Sequence, residues 1–110
     1  PVHHNYKQAI LDAKETGTYV LNKKASPCIR ALKTERTAKI YEDGLMPADT
    51  FKGIMDVYFG GDMEASVGLA GQSSGLIDEV KTARQIIDET VAEFFAITER
   101  LGAHSAAQEF

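Results

Sequence analysis

The residues of this chain that point most clearly to chemistry lie in one short glycine-rich segment, residues 61–75. Glycines and other small residues at this density give up side-chain packing, and each glycine inside a helix costs about 1 kcal/mol relative to alanine. The composition therefore predicts that another backbone, a crossing helix or a planar ligand comes very close to this part of the chain.

A helix over residues 63–77 would gather one carboxylate, one amide and the glycines along one line, because each residue turns the helix by about 100°. The residues on this line are Glu64, Gly68, Gly71, Gln72 and Gly75. Glu64 and Gln72 would then orient a ligand against a smooth surface. The alternative is structural, since glycines in this pattern also allow a tight helix crossing or interrupt a helix.

The composition is that of one small globular domain or of a piece of a larger one. The 110 residues are 44% hydrophobic and 25% charged, with a formal net charge of -4 and no Trp. This balance disfavours nucleic-acid binding, because phosphate contacts need a basic surface. Cys28 is the single cysteine, which excludes an internal disulfide, and no apolar run reaches the length of a membrane span. We expect a cytoplasmic protein.

Capping residues and apolar spacing predict a mainly α chain with about four to five helices and one short strand. The first helix is expected to start at Asn5, with Gln8 in the capping-box position, and to end at Gly17. Thr18–Leu21 is expected to be the strand, because a β-branched and aromatic run stands between Gly17 and Asn22.

A second helix is predicted from Cys28 to Glu42. Along it Arg30, Lys33, Arg36 and Lys39 recur every three residues and form a basic stripe. Such a stripe would attract a phosphate-bearing ligand or an acidic partner protein. A solvated basic face is its more ordinary role.

Two further helices are predicted beyond the Asp43-Gly44 turn. The first carries four apolar residues at i, i+3, i+4 and i+7, which predicts a buried stripe of Phe51, Ile54, Met55 and Tyr58. The second follows a capping box of Thr82 and Gln85 and is expected to end at Gly102. Residues 103–110 lack periodicity and are expected to fray.

No self-sufficient catalytic centre is visible in the sequence. It contains no nucleophile elbow, no phosphate-binding loop and no zinc-protease motif. His3 and His4 are adjacent and would point apart, so they form a poor metal pair.

The stretch from Tyr58 to Phe95 resembles the C-terminal portion of flavin-dependent nitronate monooxygenases, formerly called 2-nitropropane dioxygenases, and of the related FMN-dependent enoyl-acyl-carrier-protein reductases. The shared features are Gly61-Asp62, a Gly-Gln-x-x-Gly motif of Gly71, Gln72 and Gly75, and a long terminal helix after a short polar link. The opening residues 3–7 are also similar to that family, with His4 where a proline is more usual.

The resemblance implies that the chain is a C-terminal piece of a (β/α)8-barrel flavoenzyme. Residues 1–17 would be the last barrel-type helix, and residues 18–62 a small appended segment over the barrel mouth. Residues 63–102 would hold the glycine-rich helix and the long C-terminal helix, followed by the tail 103–110.

The same resemblance implies an FMN-dependent oxidoreductase, with oxidation of alkyl nitronates by dioxygen as the main expectation and reduction of an enoyl thioester as the alternative. Gly71, Gln72 and Gly75 are expected near the flavin mouth, and no catalytic residue or metal ligand is assigned. FMN is expected in the parent protein. The chain alone is expected to hold none and to be inactive, because the family's flavin-phosphate loops and catalytic histidine precede Pro1.

The expected partners are a small-molecule substrate of the parent and other copies of the chain, but neither nucleic acid nor membrane. Self-association is expected because Phe51, Met55, Phe94 and Phe95 cannot all be covered within so short a chain. The alternative to an enzyme fragment is a stand-alone helical interaction module that uses its basic stripe on an acidic partner.

Overall fold

The computed structural model describes residues 1–107. Of these residues, Pro1–Glu79 form one compact unit, and residues 80–107 belong to a second. The elements are α1 His4–Asp12, β1 Thr18–Leu21, β2 Ile29–Leu32, α2 Glu35–Asp43, α3 Ile54–Tyr58, a 3₁₀ turn Gln72–Leu76 and α4 Ala83–Ala107. The prediction of a mainly helical chain is confirmed for these residues, although they contain two strands where the sequence predicts one.

The first helix, α1, is shorter than predicted and is capped by a different residue. The His3 Nδ1 atom accepts a hydrogen bond from the Asn5 backbone N–H at 3.0 Å, so the imidazole performs the capping expected of Asn5. The Asn5 side chain instead donates to the Gly61 carbonyl at 2.9 Å and ties α1 to the glycine-rich segment. The helix ends before Gly17 because Ala13 is already extended, with ψ 136°.

The strand predicted at β1 is confirmed, and it pairs with a second strand that the sequence places in a helix. In this antiparallel hairpin Thr18 lies opposite Leu32 and Leu21 lies opposite Ile29. The helix predicted from Cys28 is therefore wrong over its first turns. Because the backbone of β2 is bonded to β1, it is not free to form helical hydrogen bonds.

The second helix, α2, begins at Glu35 because Thr34 and Thr37 form a capping box. The Thr34 hydroxyl oxygen accepts from the Thr37 N–H at 3.1 Å, and the Thr37 hydroxyl oxygen accepts from the Thr34 N–H at 2.8 Å. The helix ends at Gly44, whose φ of 75° is left-handed. This end agrees with the turn predicted at Asp43-Gly44.

Two small apolar clusters form the core of the first unit. One contains Leu21, Ala31, Ile40 and Val67, and the other contains Tyr6, Leu32 and Val57. The buried stripe predicted at Phe51, Ile54, Met55 and Tyr58 is wrong at Phe51 and Met55, which are 41% and 63% exposed. Ile54 and Tyr58 are half-buried, and Tyr58 packs against the second cluster. The physical reason is that α3 spans only about one turn, and it is Val57 that this turn buries.

The last helix, α4, starts where the Thr82 and Gln85 capping box predicts. The Thr82 hydroxyl accepts from the Gln85 N–H at 3.2 Å, and the Gln85 amide oxygen accepts from the Thr82 N–H at 2.9 Å. The helix passes Gly102 and continues to Ala107, so the predicted end is wrong and residues 103–107 of the expected frayed tail are helical. Residues 108–110 of that tail lie outside the described residues. Over residues 1–107, no helix combines the length and apolarity needed to cross a membrane.

Replacing Leu21 by alanine is expected to lower the free energy of unfolding by about 2–5 kcal/mol, because this side chain is fully buried and its loss leaves a cavity. Urea unfolding followed by circular dichroism measures the change. Leu45→Ala is the matched control, since Leu45 is half exposed, and is expected to cost less than about 1 kcal/mol. Equal losses in the two variants would contradict this core.

Candidate functional site

The glycine-rich segment is not the predicted helix over residues 63–77. Leu69 forms an antiparallel bridge with Ala31 of β2, and only the 3₁₀ turn Gln72–Leu76 is helical in this region. The Leu32 N–H donates to the Gly68 carbonyl at 2.8 Å, and the Ala70 N–H donates to the Arg30 carbonyl at 3.3 Å. The predicted close approach to a backbone therefore exists, but the neighbour is β2 of the same chain.

Gly68 and Leu69 also contact α1 through the buried side chain of Tyr6. A Cβ atom at Gly68 would lie 3.1 Å from the Tyr6 ring, so a larger residue would press on that ring. The Tyr6 hydroxyl donates to the Leu69 carbonyl. Burial, with a smaller contribution from nearby Tyr58, raises the pKa of the Tyr6 phenol above its usual range and keeps it a neutral donor.

Two of the predicted cofactor residues, Gly71 and Gly75, have opposite surroundings. A Cβ atom at Gly75 would lie 2.7 Å from the Glu15 backbone nitrogen and 2.8 Å from its Cα, which is closer than real Cβ atoms come. A Cβ atom at Gly71 would meet nothing nearer than the Ser73 hydroxyl, at 3.6 Å. Gly75 therefore has a packing role against the loop after α1, whereas Gly71 is open.

Glu64 orients the chain's own backbone. Its two carboxylate oxygens accept hydrogen bonds from the backbone N–H groups of Glu35 at 3.1 Å and Arg36 at 3.0 Å. These are the first amides of α2, where a negative charge interacts favourably with the positive end of the helix dipole. The Glu64 N–H is itself held by the Asp62 carboxylate at 3.1 Å.

Glu64 and Gln72 line different clefts, although a helix would have placed them on one face. The first cleft, of about 490 Å³, includes Glu64, Met63 and Asp12 among its lining residues. The second, of about 310 Å³, includes Gln72 among its lining residues. We call the second the cationic cleft; it is lined by Glu15, Thr16, Thr18, Tyr19, Val20, Lys23, Arg30, Lys33, Tyr41 and Gln72.

The basic stripe predicted on one helix is divided between two elements. Arg30 lies on β2, Lys33 follows it, and Arg36 and Lys39 lie on α2. Arg30 and Lys33 line the cationic cleft, whereas the Arg36 guanidinium donates to the Glu64 carbonyl at 3.4 Å. The predicted stripe therefore does not exist as a continuous helical face, because β2 replaces the first turns of the predicted helix.

The cationic cleft is built around two stacked tyrosines that sequence reasoning missed. The rings of Tyr19 and Tyr41 lie 4.6 Å apart with 22° between their planes. The Lys33 Nζ atom is 4.8 Å from the Tyr19 ring centre, and the Lys23 Nζ atom is 4.5 Å from the Tyr41 ring centre. Both distances are within the range of cation–π contacts. Tyr19 lies in the run that predicts β1, but no local signal pairs it with Tyr41.

The remaining candidate ligands are the histidine and cysteine side chains. In residues 1–107, no group of three or more His, Cys, Asp or Glu side chains is arranged to hold a metal ion. The Nδ1 atom of His3 caps α1. Cys28 is exposed, with its sulfur 3.7 Å from the Asn22 carbonyl oxygen.

Comparison with solved structures gives a clear neighbour. The chain is similar to FabK from Thermotoga maritima. It matches the FabK structure with 31% sequence identity and a TM-score of 0.81, over 94% of this chain and 35% of FabK. A mutant of the same FabK gives 32% identity and a TM-score of 0.78, over 94% of this chain and 32% of that one. The chain thus spans about one third of the length of these neighbours. No family model matches it, and no curated protein does.

Gly75→Ala is expected to lower the free energy of unfolding by about 1–3 kcal/mol, because the new methyl group meets the Glu15 backbone. Gly71→Ala is the matched control and is expected to change it by less than about 1 kcal/mol, since its surroundings are open. Chemical denaturation of both variants measures the difference. A larger loss at Gly71 than at Gly75 would show that the packing described here is wrong.

Removing the charge of Glu64 by Glu64→Gln is expected to cost about 0.5–1 kcal/mol of stability, because the carboxylate accepts from the first amides of α2. Glu42→Gln, near the C-terminal end of the same helix, should be neutral or slightly stabilising, since a negative charge is unfavourable there. Thermal unfolding at low salt compares them. The opposite order of the two effects would refute the assigned role of Glu64.

Proposed function

We propose that this chain is a C-terminal piece of an FMN-dependent oxidoreductase of the nitronate monooxygenase family. The observation that carries the proposal is the similarity to FabK, an FMN-dependent enoyl-acyl-carrier-protein reductase of that family, over 94% of the chain. The motif of Gly71, Gln72 and Gly75 supports it independently. A chain that spans one third of its neighbour supplies part of such an enzyme.

Two reactions are candidates for the parent protein. The sequence resemblance favours oxidation of alkyl nitronates by dioxygen. The similarity to FabK favours reduction of an enoyl thioester with a nicotinamide nucleotide as donor. In either reaction the flavin supplies the redox chemistry when it is bound, and the substrate is a small molecule or the acyl group of a carrier.

The contribution of this chain to a flavin site would come from Gly71 and Gln72. Gly71 leaves open space above its backbone, and Gln72 carries an exposed amide that can donate and accept hydrogen bonds. Both therefore fit the edge of a cofactor site. Gly75 fits less directly, because its small size is needed against Glu15. In this proposal residues 1–17 belong to the barrel, and residues 18–62 lie over its mouth.

Self-association of the isolated chain is part of the same proposal. The large apolar side chains exposed in the two units include Phe51, Met55, Phe94 and Phe95. Exposed groups of this kind drive association unless another part of the protein covers them. An interaction module is the second candidate function, and the exposed apolar residues of α4, which include Ile87, Phe94 and Leu101 at seven-residue spacing, favour it.

The first test is flavin binding by the 110-residue chain alone. We expect no stoichiometric FMN at micromolar concentration, measured by equilibrium dialysis and by the flavin absorbance of the purified chain. The physical reason is that the residues this chain is proposed to supply to the flavin site, Gly71 and Gln72, are uncharged and cover only a small part of a cofactor. A bright yellow chain with one FMN per molecule would show that the piece is self-sufficient, against the proposal.

The second test uses the complete gene product, whose intact mass is measured before its flavin content and its activity on nitronates and enoyl thioesters. We expect a product larger than this chain that contains FMN and is active on one substrate class. Gln72→Ala is expected to raise KM about fivefold through loss of one hydrogen bond. Gln8→Ala, whose amide bonds Asp12 within α1, is the matched control. A flavin-free product inactive on both classes would refute the enzyme proposal and favour the interaction module.

A further inference from the structure

The cationic cleft gathers positive charge in a protein that is negative overall. The formal net charge of the chain is -4, yet the cleft is lined by Lys23, Arg30 and Lys33 with only the Glu15 carboxylate to oppose them. A concave surface with one sign of charge focuses the electrostatic potential and raises the local concentration of the opposite ion. The cleft therefore favours an anionic ligand.

The cationic groups are held in place by the cleft itself. The Arg30 guanidinium donates to the Thr18 hydroxyl oxygen at 3.0 Å, and it lies on a strand that is only partly exposed. Lys23 and Lys33 rest near the stacked rings of Tyr41 and Tyr19. Side chains ordered before binding lose less conformational entropy when a ligand arrives, so these contacts favour affinity.

The neutral hydrogen-bond donors and the size of the cleft further restrict the class of ligand that it could bind. The Thr18 hydroxyl accepts from Arg30 and keeps its own hydrogen to donate, and Thr16 and the Gln72 amide offer further donors along the wall. Guanidinium, ammonium and hydroxyl groups together match the several oxygens of a phosphate. A volume of about 310 Å³ corresponds to the small end of pockets that bind small molecules.

We propose that the cationic cleft binds the diphosphate group of a small ligand. The Lys23 and Lys33 ammonium groups and the Arg30 guanidinium, which line this cleft, would pair with its oxygens. Free diphosphate and a nucleoside diphosphate share this chemistry. The proposal does not depend on the flavoenzyme assignment, since every contact belongs to residues of this chain.

The test is isothermal titration of the flavin-free 110-residue chain with inorganic pyrophosphate, ADP and adenosine at low salt. Pyrophosphate and ADP are both expected to bind, with affinities that fall as salt is added, and adenosine is expected to bind at least tenfold more weakly. Similar affinities for pyrophosphate and ADP would identify free diphosphate as the better source. Tighter ADP binding would identify the nucleotide.

Matched charge variants locate the binding in the cleft. Lys23→Gln and Lys33→Gln are each expected to weaken pyrophosphate binding about fivefold, through loss of one charged donor. Glu15→Gln removes the opposing carboxylate and is expected to tighten binding, a gain that misfolding cannot produce. Lys52→Gln removes one charge from an exposed position outside the cleft and should leave the affinity unchanged.

Several outcomes would overturn the proposal. They are no heat of binding with pyrophosphate, equal loss of affinity in Lys52→Gln and Lys23→Gln, or adenosine binding as tightly as ADP. Binding of an acidic polypeptide without any binding of pyrophosphate would also overturn it, in favour of a protein partner. Because FMN is absent throughout, a failed flavin assay and a failed pyrophosphate titration are separate results.

Discussion

The pairing of β2 with the glycine-rich segment is the interaction on which the first unit of this protein depends. One edge of β2 is bonded to β1, and the Leu32 N–H and Arg30 carbonyl bond the backbone at Gly68 and Ala70. Because β2 is occupied on both sides, the segment that follows α3 must run past it in an extended form. The positions of Tyr6, Glu64 and Gln72 all follow from this course.

The glycines of that segment divide between packing and exposure. Gly68 admits the Tyr6 ring, and Gly75 admits the backbone at Glu15, so both permit contacts that any larger residue would disturb. Gly71 has open surroundings and precedes Gln72, whose amide lies at the cationic cleft. Within this one segment, Gly68 and Gly75 allow close packing, whereas Gly71 and Gln72 are exposed.

The same tertiary arrangement changes the surroundings of the basic residues. On one helix they would form a solvated stripe, but the β1–β2 hairpin places Arg30 beside Thr18 and Lys33 beside Tyr19. The charge is concentrated in a concave site as a result. The similarity to one third of FabK concerns the fold and the proposed flavin chemistry, whereas the cationic cleft is a property of this chain's own side chains. Gln72 belongs both to the proposed flavin site and to the cationic cleft.

The sequence by itself determined the features whose causes are local. The β1 run between Gly17 and Asn22, the glycine end of α2 and the Thr82 cap of α4 are signals carried by a few neighbouring residues, and the structure confirms each of them. The excess of small residues in 61–75 likewise predicted a close approach of backbones before any neighbour was known.

Only the tertiary structure decided that β2 is the backbone against which the glycine-rich segment lies. It also decided the shape of the cationic cleft. The four-residue run Ile29–Leu32 is compatible with a helix or a strand, and its hydrogen bonds to β1 and Gly68 select the strand. Residues 63–77 satisfy helical spacing, but the Gly68 carbonyl and the Ala70 amide find partners more than thirty positions away along the chain. Periodicity records which face of an element is apolar. It cannot record long-range backbone pairing, which is why Tyr19, Tyr41 and the cationic cleft appeared only in the folded chain.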